Sequence, residues 1–412
     1  MIILYSAFEC SPNIGSDAYV GWSWAKEMSK RHDVHVLTNS LNKQSIEDYS
    51  KIERVNATFH YIDVPSWIEK VFRGRKLYFI GYYFWQKNAY KYAKELSKGI
   101  NFDIVHHVSI ADFRVIGELW KLNKPFIFGP VGGGQETPKV LKPYIKKHLL
   151  KEYMRSVINH IMLLSPKYNR AVKNTNIYFA SNDETLNLVK NIIHHPGTCK
   201  FYRLCELGVE NEKLCKREYK KRNKEIHILV AGRLMYRKGI ELLLDALTEL
   251  QTVRKFVVDI YGGGQQEKEV RQQIQERNLQ DVVILHGRVA FDNMPKIYAN
   301  SDFVVLPSLR ETTGTAVFEA LTYQLPIIAL NQNGVKYIIE NDSGILVDVS
   351  TKQNIITGLS NAIKYLIEND EERIAMGITG YEKMKSLYTW EYKCGEMEKI
   401  YRKLIENKNS SD

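Results

Sequence analysis

Short runs of β-branched and aromatic residues alternate with longer helix-patterned segments through both halves of the chain. The first half has five such runs and the second half has six, at 1–6, 33–38, 102–108, 125–129 and 176–181, then at 225–232, 255–262, 282–287, 302–308, 325–330 and 344–349. Strands separated by helices form βαβ units, whose strands run parallel with helices packed on the sheet. This alternation predicts an α/β fold with two parallel-sheet domains.

A polar, strongly charged stretch at 210–225 separates the two series of strands. It has little apolar surface to bury, so we place the domain junction near residue 205. We expect a first domain over 1–205, a second over 206–388, and a C-terminal helix over 389–412 that crosses back to the first domain. Open parallel sheets bind ligands at the carboxyl ends of their strands, so we expect the active site between the two domains.

The composition argues against several classes of protein. The longest aromatic run, LYFIGYYFW, is half the roughly 18 residues that a membrane-spanning helix needs. The N-terminal stretch MIILYSAFECSPN lacks the basic lead of a secretory signal and predicts a buried strand. Five scattered cysteines without CxxC spacing predict free thiols in a reducing cytosol and no zinc site. The net charge of +11 favours an anionic partner.

The stretch RETTGTAVFE lies in a strand, loop, helix pattern and carries the most chemistry. The helix is predicted to start at TTGT, where the backbone amides near Gly314 and Thr315 would attract an anion such as a diphosphate, with Thr313 adding a hydroxyl donor. Glu311 lies in the loop and Glu319 on the helix, so they would bind hydroxyl groups on either side of the phosphate. The alternative is that both glutamates are ordinary solvated charges.

A second segment, VAGRLMYRKGIE, places Arg233 and Lys238 between a strand and a helix at the rim of the same predicted sheet. Two cations at this position would neutralise a diphosphate and stabilise a departing one. Such cations taken alone are more often surface charge. Together with the TTGT helix start, they favour a ligand that contains a diphosphate.

These motifs resemble the retaining nucleotide-sugar glycosyltransferases of family 4, also described as glycosyl transferases group 1, which have the GT-B fold. The agreement is ordered over about 120 residues: GR…KG, IYGGG, PS, the E-x7-E pair, and LPIIAL…NG…G.LV ending at residue 347. The resemblance implies two Rossmann-like parallel-sheet domains that face a deep cleft. It also implies that the C-terminal domain holds most of a nucleoside-diphosphate sugar.

The resemblance implies a role for several residues of these motifs. Arg233 and Lys238 would bind the diphosphate, Glu311 the transferred sugar, and Glu319 the ribose hydroxyls. The other donor-binding positions that it implies in the C-terminal half are Gly262, Arg288 near the nucleobase, Thr313, Gly314 and Thr315.

The N-terminal half resembles the same family more loosely. Its first strand is followed by a glycine loop, in which Gly15 and Ser16 would approach the donor phosphate and the acceptor. The strand FDIVHHVS is similar to one that ends in a histidine near the donor sugar. The family has two histidines with one residue between them, whereas His106 and His107 are adjacent here. Because successive strand residues point to opposite faces, one of them is expected to face the core, and we assign the catalytic role to His107.

The resemblance further implies a hexose-type transfer with retention, and neither a cofactor nor a metal ion. Arginine, lysine and the helix start would do the neutralising that metal ions do in other transferases, and no DxD motif lies at a suitable position. We expect the donor to be a UDP-sugar rather than a GDP-sugar.

Cations greatly outnumber carboxylates in two stretches of the N-terminal half. Between 139 and 173, nine lysines and arginines accompany only Glu152, and the stretch 70–98 adds eight more cations among aromatic residues. This composition suits an anionic bilayer surface, with a solvated helix face as the alternative. We therefore hypothesise a cytoplasmic enzyme in peripheral contact with the inner face of the cell membrane. Its acceptor would be a lipid-diphosphate-linked saccharide of bacterial surface polysaccharide or glycoconjugate biosynthesis.

Two other functions stay open at this point. A soluble glycosyltransferase could act on a small molecule or a protein, with the basic surface incidental. A non-catalytic or nucleic-acid-binding protein would also be basic, although the helix-turn-helix, RNP-like and zinc signatures are missing from the sequence.

Overall fold

The computed structural model describes residues 1–13, 15, 17–64, 78–193, 195–217 and 225–409. The chain forms two compact units that each gather distant segments of sequence. Unit 1 comprises Met1–Gly134, Ser156–Gly208 and Trp390–Asp412, and unit 2 comprises Gln135–Arg155 and Val209–Thr389.

The described part of unit 1 contains a seven-stranded parallel sheet. Its strands are β1 (Ile2–Ala7), β2 (Asp33–Asn39), β3 (Thr58–Ile62), β4 (Ile104–Ser109), β5 (Phe126–Val131), β6 (Ile177–Ala180) and β7 (Lys200–Arg203). They lie in the order β3-β2-β1-β4-β5-β6-β7, which reverses direction between β1 and β4 as in a Rossmann fold. A buried core that includes Leu4, Val105 and Phe128 packs against one face of the sheet.

The helices of unit 1 follow the strands as βαβ crossovers require. Before the last helix, those in the described residues are α1 (Asp17–Met28), α2 (Lys43–Ser50), α3 (Tyr78–Leu96), α4 (Leu149–Leu164), α5 (Pro166–Lys173) and α6 (Asp183–Ile192), with 3-10 helices at Ser40–Asn42 and Leu119–Leu122. Helix α6 begins where the Asn182 side chain accepts a hydrogen bond from the Thr185 amide at 2.9 Å, an N-cap. Helix α4 contains the division between the two units.

The described part of unit 2 contains a six-stranded parallel sheet. Its strands are β8 (Ile226–Ala231), β9 (Phe256–Tyr261), β10 (Val283–Gly287), β11 (Phe303–Leu306), β12 (Ile327–Leu330) and β13 (Gly344–Val347). They lie in the order β10-β9-β8-β11-β12-β13, so this sheet also has Rossmann topology and reverses between β8 and β11.

Helices cover the sheet of unit 2, and Leu243, Val258 and Ile363 are fully buried in its core. They are α7 (Ile240–Thr248), α8 (Glu267–Glu276), α9 (Met294–Asn300), α10 (Thr315–Thr322), α11 (Lys336–Ile339), α12 (Lys352–Glu368) and α13 (Asp370–Leu387), with 3-10 helices at Lys139–His148, Asn211–Lys213, Tyr236–Lys238 and Phe291–Asn293. Among the described helices, none combines the length and the apolarity that a bilayer span requires.

The predicted fold class is confirmed: two Rossmann-like parallel-sheet domains are present, and each of the eleven predicted runs contains a strand. Strands β3 and β7, which the sequence pattern did not predict, are the edge strands of the sheet in unit 1. Both are largely exposed or half-buried, so they lack the continuous apolar run that marks a central parallel strand. The predicted cleft stays a prediction.

Two segments cross between the units along the sequence. The segment Gln135–Arg155 belongs to unit 2, where Leu141 and Ile145 are buried in its core, whereas the sequence analysis left this segment in a domain over 1–205. The last helix, α14 (Trp390–Asn409), belongs to unit 1. There Trp390 contacts Trp24 edge-to-face with ring centroids 5.5 Å apart, and the Lys393 ammonium donates to the Leu207 carbonyl at 2.6 Å.

Candidate functional site

Two loops leave the sheet of unit 2 at the point where its strand order reverses, the loop after β8 and the loop after β11. They pack backbone against backbone: the Leu309 amide donates to the Arg237 carbonyl at 2.8 Å. Gly239 has φ +67°, and a Cβ built there would lie 1.9 Å from the Pro307 carbonyl oxygen, so only glycine fits. A small pocket between these loops is lined by residues that include Arg233, Lys238 and Ser308. Open α/β sheets bind ligands at such a reversal point.

Glu311 is held in this region by two cations. Its carboxylate contacts the Lys238 ammonium directly, and Arg237 Nη1 lies 3.2 Å from both of its oxygens. Its amide donates to Asn333 Oδ1 at 3.0 Å. Burial alone would raise the pKa of Glu311, but Lys238 and Arg237 outweigh it and hold the pKa below its ordinary value. Glu311 is therefore a carboxylate at neutral pH, and the sequence-predicted residues Glu311 and Lys238 are neighbours.

Arg237 was missed by the sequence analysis, which stopped at the GR…KG motif. Its only local signal is its position next to Lys238 in the YRKG stretch. The 3-10 helix Tyr236–Lys238 directs both cations towards Glu311.

The loops after β8, β9 and β10 meet at the same edge of the sheet. Gly262 has φ +151°, and a Cβ on it would lie 1.7 Å from the Gly232 carbonyl oxygen. The Gly262 amide donates to the Gly287 carbonyl at 2.8 Å. A Cβ on the next residue, Gly263, would lie 3.4 Å from the Arg288 Cβ. Glycine thus lets the three loops touch, and the predicted positions Gly262 and Arg288 lie at one edge with the loop that carries Arg233.

The start of α10 is held in place by contacts from two directions. Gly314, with φ +92°, precedes the first helical residue, Thr315, and Thr313 is buried. The Gly334 amide donates to the Thr312 carbonyl at 2.8 Å, and the Gln135 side chain donates to Thr312 Oγ1 at 2.9 Å. The predicted helix start therefore exists, and its amides and dipole favour an anion there.

Glu319 lies in different surroundings from Glu311. The Tyr298 hydroxyl donates to Glu319 Oε2 at 2.6 Å, and the Tyr298 ring stacks on Tyr323 with centroids 5.4 Å apart. Burial raises the pKa of Glu319, an effect that the Tyr298 hydrogen bond partly opposes. The two glutamates of the E-x7-E motif thus have pKa values shifted in opposite directions, which suits two separate tasks.

A buried ion cluster in unit 2 adjoins the loop that carries Glu311. Glu152 Oε1 accepts from Arg310 Nη2 at 2.9 Å and from the Tyr236 hydroxyl at 2.7 Å, and Arg155 Nε lies 3.3 Å from Glu152 Oε2. Arg310 directly precedes Glu311, so Glu152 braces the loop after β11. The sequence signal for this residue was its isolation as the single carboxylate in a cationic stretch.

The predicted residues of the N-terminal half lie in unit 1. Gly15 is exposed in the loop between β1 and α1, with no described atom within 4 Å of a Cβ built on it. Ser16 lies outside the described residues.

His106 and His107 point to opposite faces of β4, as strand geometry predicts, but both are buried rather than one alone. His106 contacts the Gly129 carbonyl at 2.6 Å and the Tyr401 hydroxyl at 2.5 Å, and His107 Nε2 contacts the Ile110 carbonyl at 3.0 Å. Burial lowers the pKa of His107 to about 4, so it is neutral at physiological pH. Its role at the donor sugar stays a prediction.

Comparison with known proteins relates the chain to sugar-transferring enzymes. Residues 211–383 match the family described as glycosyl transferases group 1. The chain is 26% identical over 375 residues to an uncharacterized glycosyltransferase of Methanocaldococcus jannaschii, an alignment that covers 90% of each protein. It is 22% identical over 214 residues to a putative colanic acid biosynthesis glycosyltransferase, WcaL, of Salmonella typhimurium, which covers 50% of this chain and 51% of that protein.

Solved structures share the fold. Anabaena HepE, crystallised with UDP and glucose, superposes with a TM-score of 0.60 at 16% identity, over the full length of both chains. The family match at residues 211–383 includes Arg233, Lys238, Glu311 and Glu319 of unit 2, the residues on which the resemblance in the sequence mainly rests. Residues 211–383 are therefore similar to the glycosyl transferases group 1 family, and the chain has the two-domain GT-B fold.

Proposed function

We propose that this protein is a retaining, metal-independent glycosyltransferase that moves a hexose-type sugar from a nucleoside-diphosphate sugar to a saccharide acceptor. The observation that carries the proposal is the ion cluster of Glu311, Lys238 and Arg237 at the reversal point of the sheet in unit 2. Here an anionic carboxylate for sugar hydroxyls lies against cations for a phosphate.

The charges of this cluster suit the leaving group of the reaction. With Arg233, which lines the same pocket as Lys238, the cations outweigh Glu311 by two positive charges, and the dipole of α10 adds to them. The diphosphate of a nucleotide sugar gains negative charge when the sugar departs. Cations already in place stabilise that gain more than they stabilise the bound substrate, which is what lowers a barrier.

The two glutamates divide the rest of the donor between them in this proposal. Glu311, kept ionised by its cations, accepts hydrogen bonds from hydroxyls of the transferred sugar. Glu319 accepts them from the ribose through Oε1, since Oε2 already accepts from Tyr298. Gly262, Arg288, Thr313, Gly314 and Thr315 complete the donor cradle, while Gly15, Ser16 and His107 act from the N-terminal half.

We further propose that the donor is a UDP-sugar and that no cofactor takes part. HepE, which shares the fold, was crystallised with UDP, and this supports UDP over GDP. The similarity to the putative colanic acid glycosyltransferase supports an acceptor in bacterial surface polysaccharide or glycoconjugate biosynthesis. We propose that this acceptor is lipid-diphosphate-linked and that the enzyme works at the inner face of the cell membrane. A soluble enzyme that glycosylates a small molecule or a protein is the alternative.

A panel of UDP-sugars and GDP-sugars, followed by thermal shift and by slow donor hydrolysis, tests this function. At least one UDP-sugar should stabilise the wild type and be hydrolysed, with neither effect changed by EDTA. Glu311→Gln should abolish hydrolysis, whereas Glu276→Gln, at an exposed position of α8, should leave it unchanged. If no nucleotide sugar stabilises the protein or is turned over, the proposed function is wrong.

A further inference from the structure

Helix α4 is amphipathic in the reverse of the usual sense, with a polar face turned inward. Glu152 and Arg155 lie in the buried ion cluster of unit 2, and Asn159, 1% exposed, donates to the Gly133 carbonyl at 3.2 Å in unit 1. These residues recur every three or four positions, so they form one face of the helix. Leu163, fully buried, continues that face.

The opposite face of α4 is apolar and exposed. We call it the outer stripe, and its six large side chains are between 44% and 75% exposed: Leu150, Tyr153, Met154, Ile158, Ile161 and Leu164. At 1.5 Å per residue the stripe runs for about 21 Å along the helix. Other exposed apolar side chains, such as Ile52 and Val253, lie in separate places, as is normal for a protein surface. A continuous stripe marks a surface that binds something.

The charges around the outer stripe indicate what it binds. Lys146, Lys151, Arg170 and Lys173 are exposed on α4 and on the segments just before and after it. Glu152, the single carboxylate between 139 and 173, is turned inward and neutralised by arginines. Lys147 and Lys167 are paired with Glu269 and Glu118, and the four exposed cations named above leave a positive excess beside the apolar stripe. A second copy of this chain would bring two cationic rims together, whereas an anionic bilayer complements both the charge and the apolar side chains.

We propose that the outer stripe of α4 docks this protein on an anionic lipid bilayer. The apolar side chains enter the boundary between headgroups and acyl chains, while the lysines and arginines contact lipid phosphates. The proposal assigns the membrane contact to one helix face, whereas the sequence had indicated only two cationic stretches. Of the other stretch, residues 70–77 lie outside the described residues. This docking surface deepens the proposed function, because it names the part of the protein that would contact the membrane in which a lipid-linked acceptor lies. Docking itself does not require that function.

Flotation of the full chain with vesicles tests the docking surface. The wild type should float with vesicles of phosphatidylcholine and phosphatidylglycerol at low salt, and much less with phosphatidylcholine alone or at high salt. Leu150→Ser/Ile161→Ser should weaken binding on the order of 100-fold, because each side chain loses most of its transfer free energy. The matched control, Ile52→Ser/Val253→Ser, removes two apolar side chains elsewhere that are more exposed still, and it should bind as the wild type does. Lys146→Gln should weaken binding about fivefold and reduce its salt dependence.

Several outcomes would overturn the proposal. Failure of the wild type to float with anionic vesicles at low salt would do so, as would flotation of the stripe variant at the wild-type level. Equal flotation with neutral vesicles would overturn the anionic assignment. If sedimentation shows a wild-type dimer that the stripe variant splits, and neither floats, then the stripe binds a second copy.

Two measurements distinguish a loss of docking from unfolding and from a loss of donor hydrolysis. The stripe variant should keep the wild-type unfolding profile and the same thermal shift with UDP, and Tyr153→Ser/Met154→Ser serves as a second stripe variant should the first unfold. Donor hydrolysis is measured separately on soluble protein. A protein that floats but hydrolyses no nucleotide sugar would contradict the proposed function and leave the docking surface intact.

Discussion

Replacement of Lys238 by methionine separates the structural role of the Glu311 cluster from its proposed catalytic role. The side chains of Lys238 and Glu311 are 16% and 13% exposed, so their interaction is little screened by water. Removing one partner of a buried ion pair costs about 3–5 kcal/mol when the other charge is left uncompensated. Here Arg237 stays 3.2 Å from Glu311, so we expect a smaller cost of about 2 kcal/mol.

Calorimetry of the full chain measures this cost as a change in apparent Tm. For a unit of about 200 residues, 1 kcal/mol corresponds to about 2–4 °C, so Lys238→Met should lower the apparent Tm by about 4–8 °C. The cost should shrink at acid pH. Since the folded pKa of Glu311 is depressed, its pairing stabilises above the ordinary glutamate pKa of about 4.3 and is lost as the pH falls through the lower folded value.

The double variant Lys238→Met/Glu311→Gln provides the internal check. It leaves the Arg237 guanidinium without its carboxylate, so it should be less stable than Lys238→Met, and glycosyl transfer should stay at least about 100-fold down. Lys147→Met, at an ion pair whose lysine is 79% exposed, should leave the apparent Tm unchanged, because water screens that pair. An unchanged Tm for Lys238→Met, or a double variant that is more stable than the single one, would refute the electrostatic reasoning. Near-normal transfer by Lys238→Met would refute its placement at the diphosphate.

Three further substitutions probe the same unit. Glu319→Gln should raise the apparent Tm at about pH 8 but not at about pH 4, because the pKa of Glu319 is raised and the wild type loses stability as the pH rises through that pKa. The variant should also show a weaker thermal shift with UDP. A Tm gain that is equal at both pH values would contradict this prediction. Glu152→Ala leaves Arg310 and Arg155 without their carboxylate, so calorimetry should show that the free energy of unfolding falls by about 3 kcal/mol. Donor binding should also weaken, because Arg310 adjoins Glu311. A loss of stability with an unchanged UDP affinity would confine Glu152 to a structural role. Gly262→Ala puts a Cβ 1.7 Å from the Gly232 carbonyl oxygen, so it should lower the free energy of unfolding by about 1–3 kcal/mol and reduce the UDP thermal shift. The control Gly287→Ala has no described atom within 4 Å of the new Cβ, so it measures only the cost of a positive φ at a residue with a side chain.

Much of unit 2 was predictable because its signals are local in the sequence. The buried parallel strands are continuous apolar runs, and the loops that follow them contain glycines where backbones must touch, as Gly239 and Gly262 do. The motif positions Lys238 and Glu311 fall in the segments that follow strands β8 and β11, and βαβ topology brings such segments to one edge of a sheet. These features needed no knowledge of long-range packing.

Other parts of the site depend on contacts between residues that are far apart in sequence. Nothing near Glu319 indicates that Tyr298 donates to it, and nothing near Glu311 indicates Asn333. The segment Gln135–Arg155 follows a strand of unit 1, yet it packs on unit 2 because the core there accommodates Leu141 and Ile145. The sequence of this segment is compatible with packing on either core.

Helix α4 shows the division most clearly. Periodicity in the sequence determined that this helix has one polar and one apolar face, and the usual expectation is that the apolar face turns inward. The tertiary structure decided the opposite, because Arg310 and Tyr236 of unit 2 supply the partners that Glu152 needs, so that the polar face is buried. The sequence alone determines which residues share a face, whereas the chemistry of the neighbours that folding brings together determines which face meets the protein and which meets its surroundings.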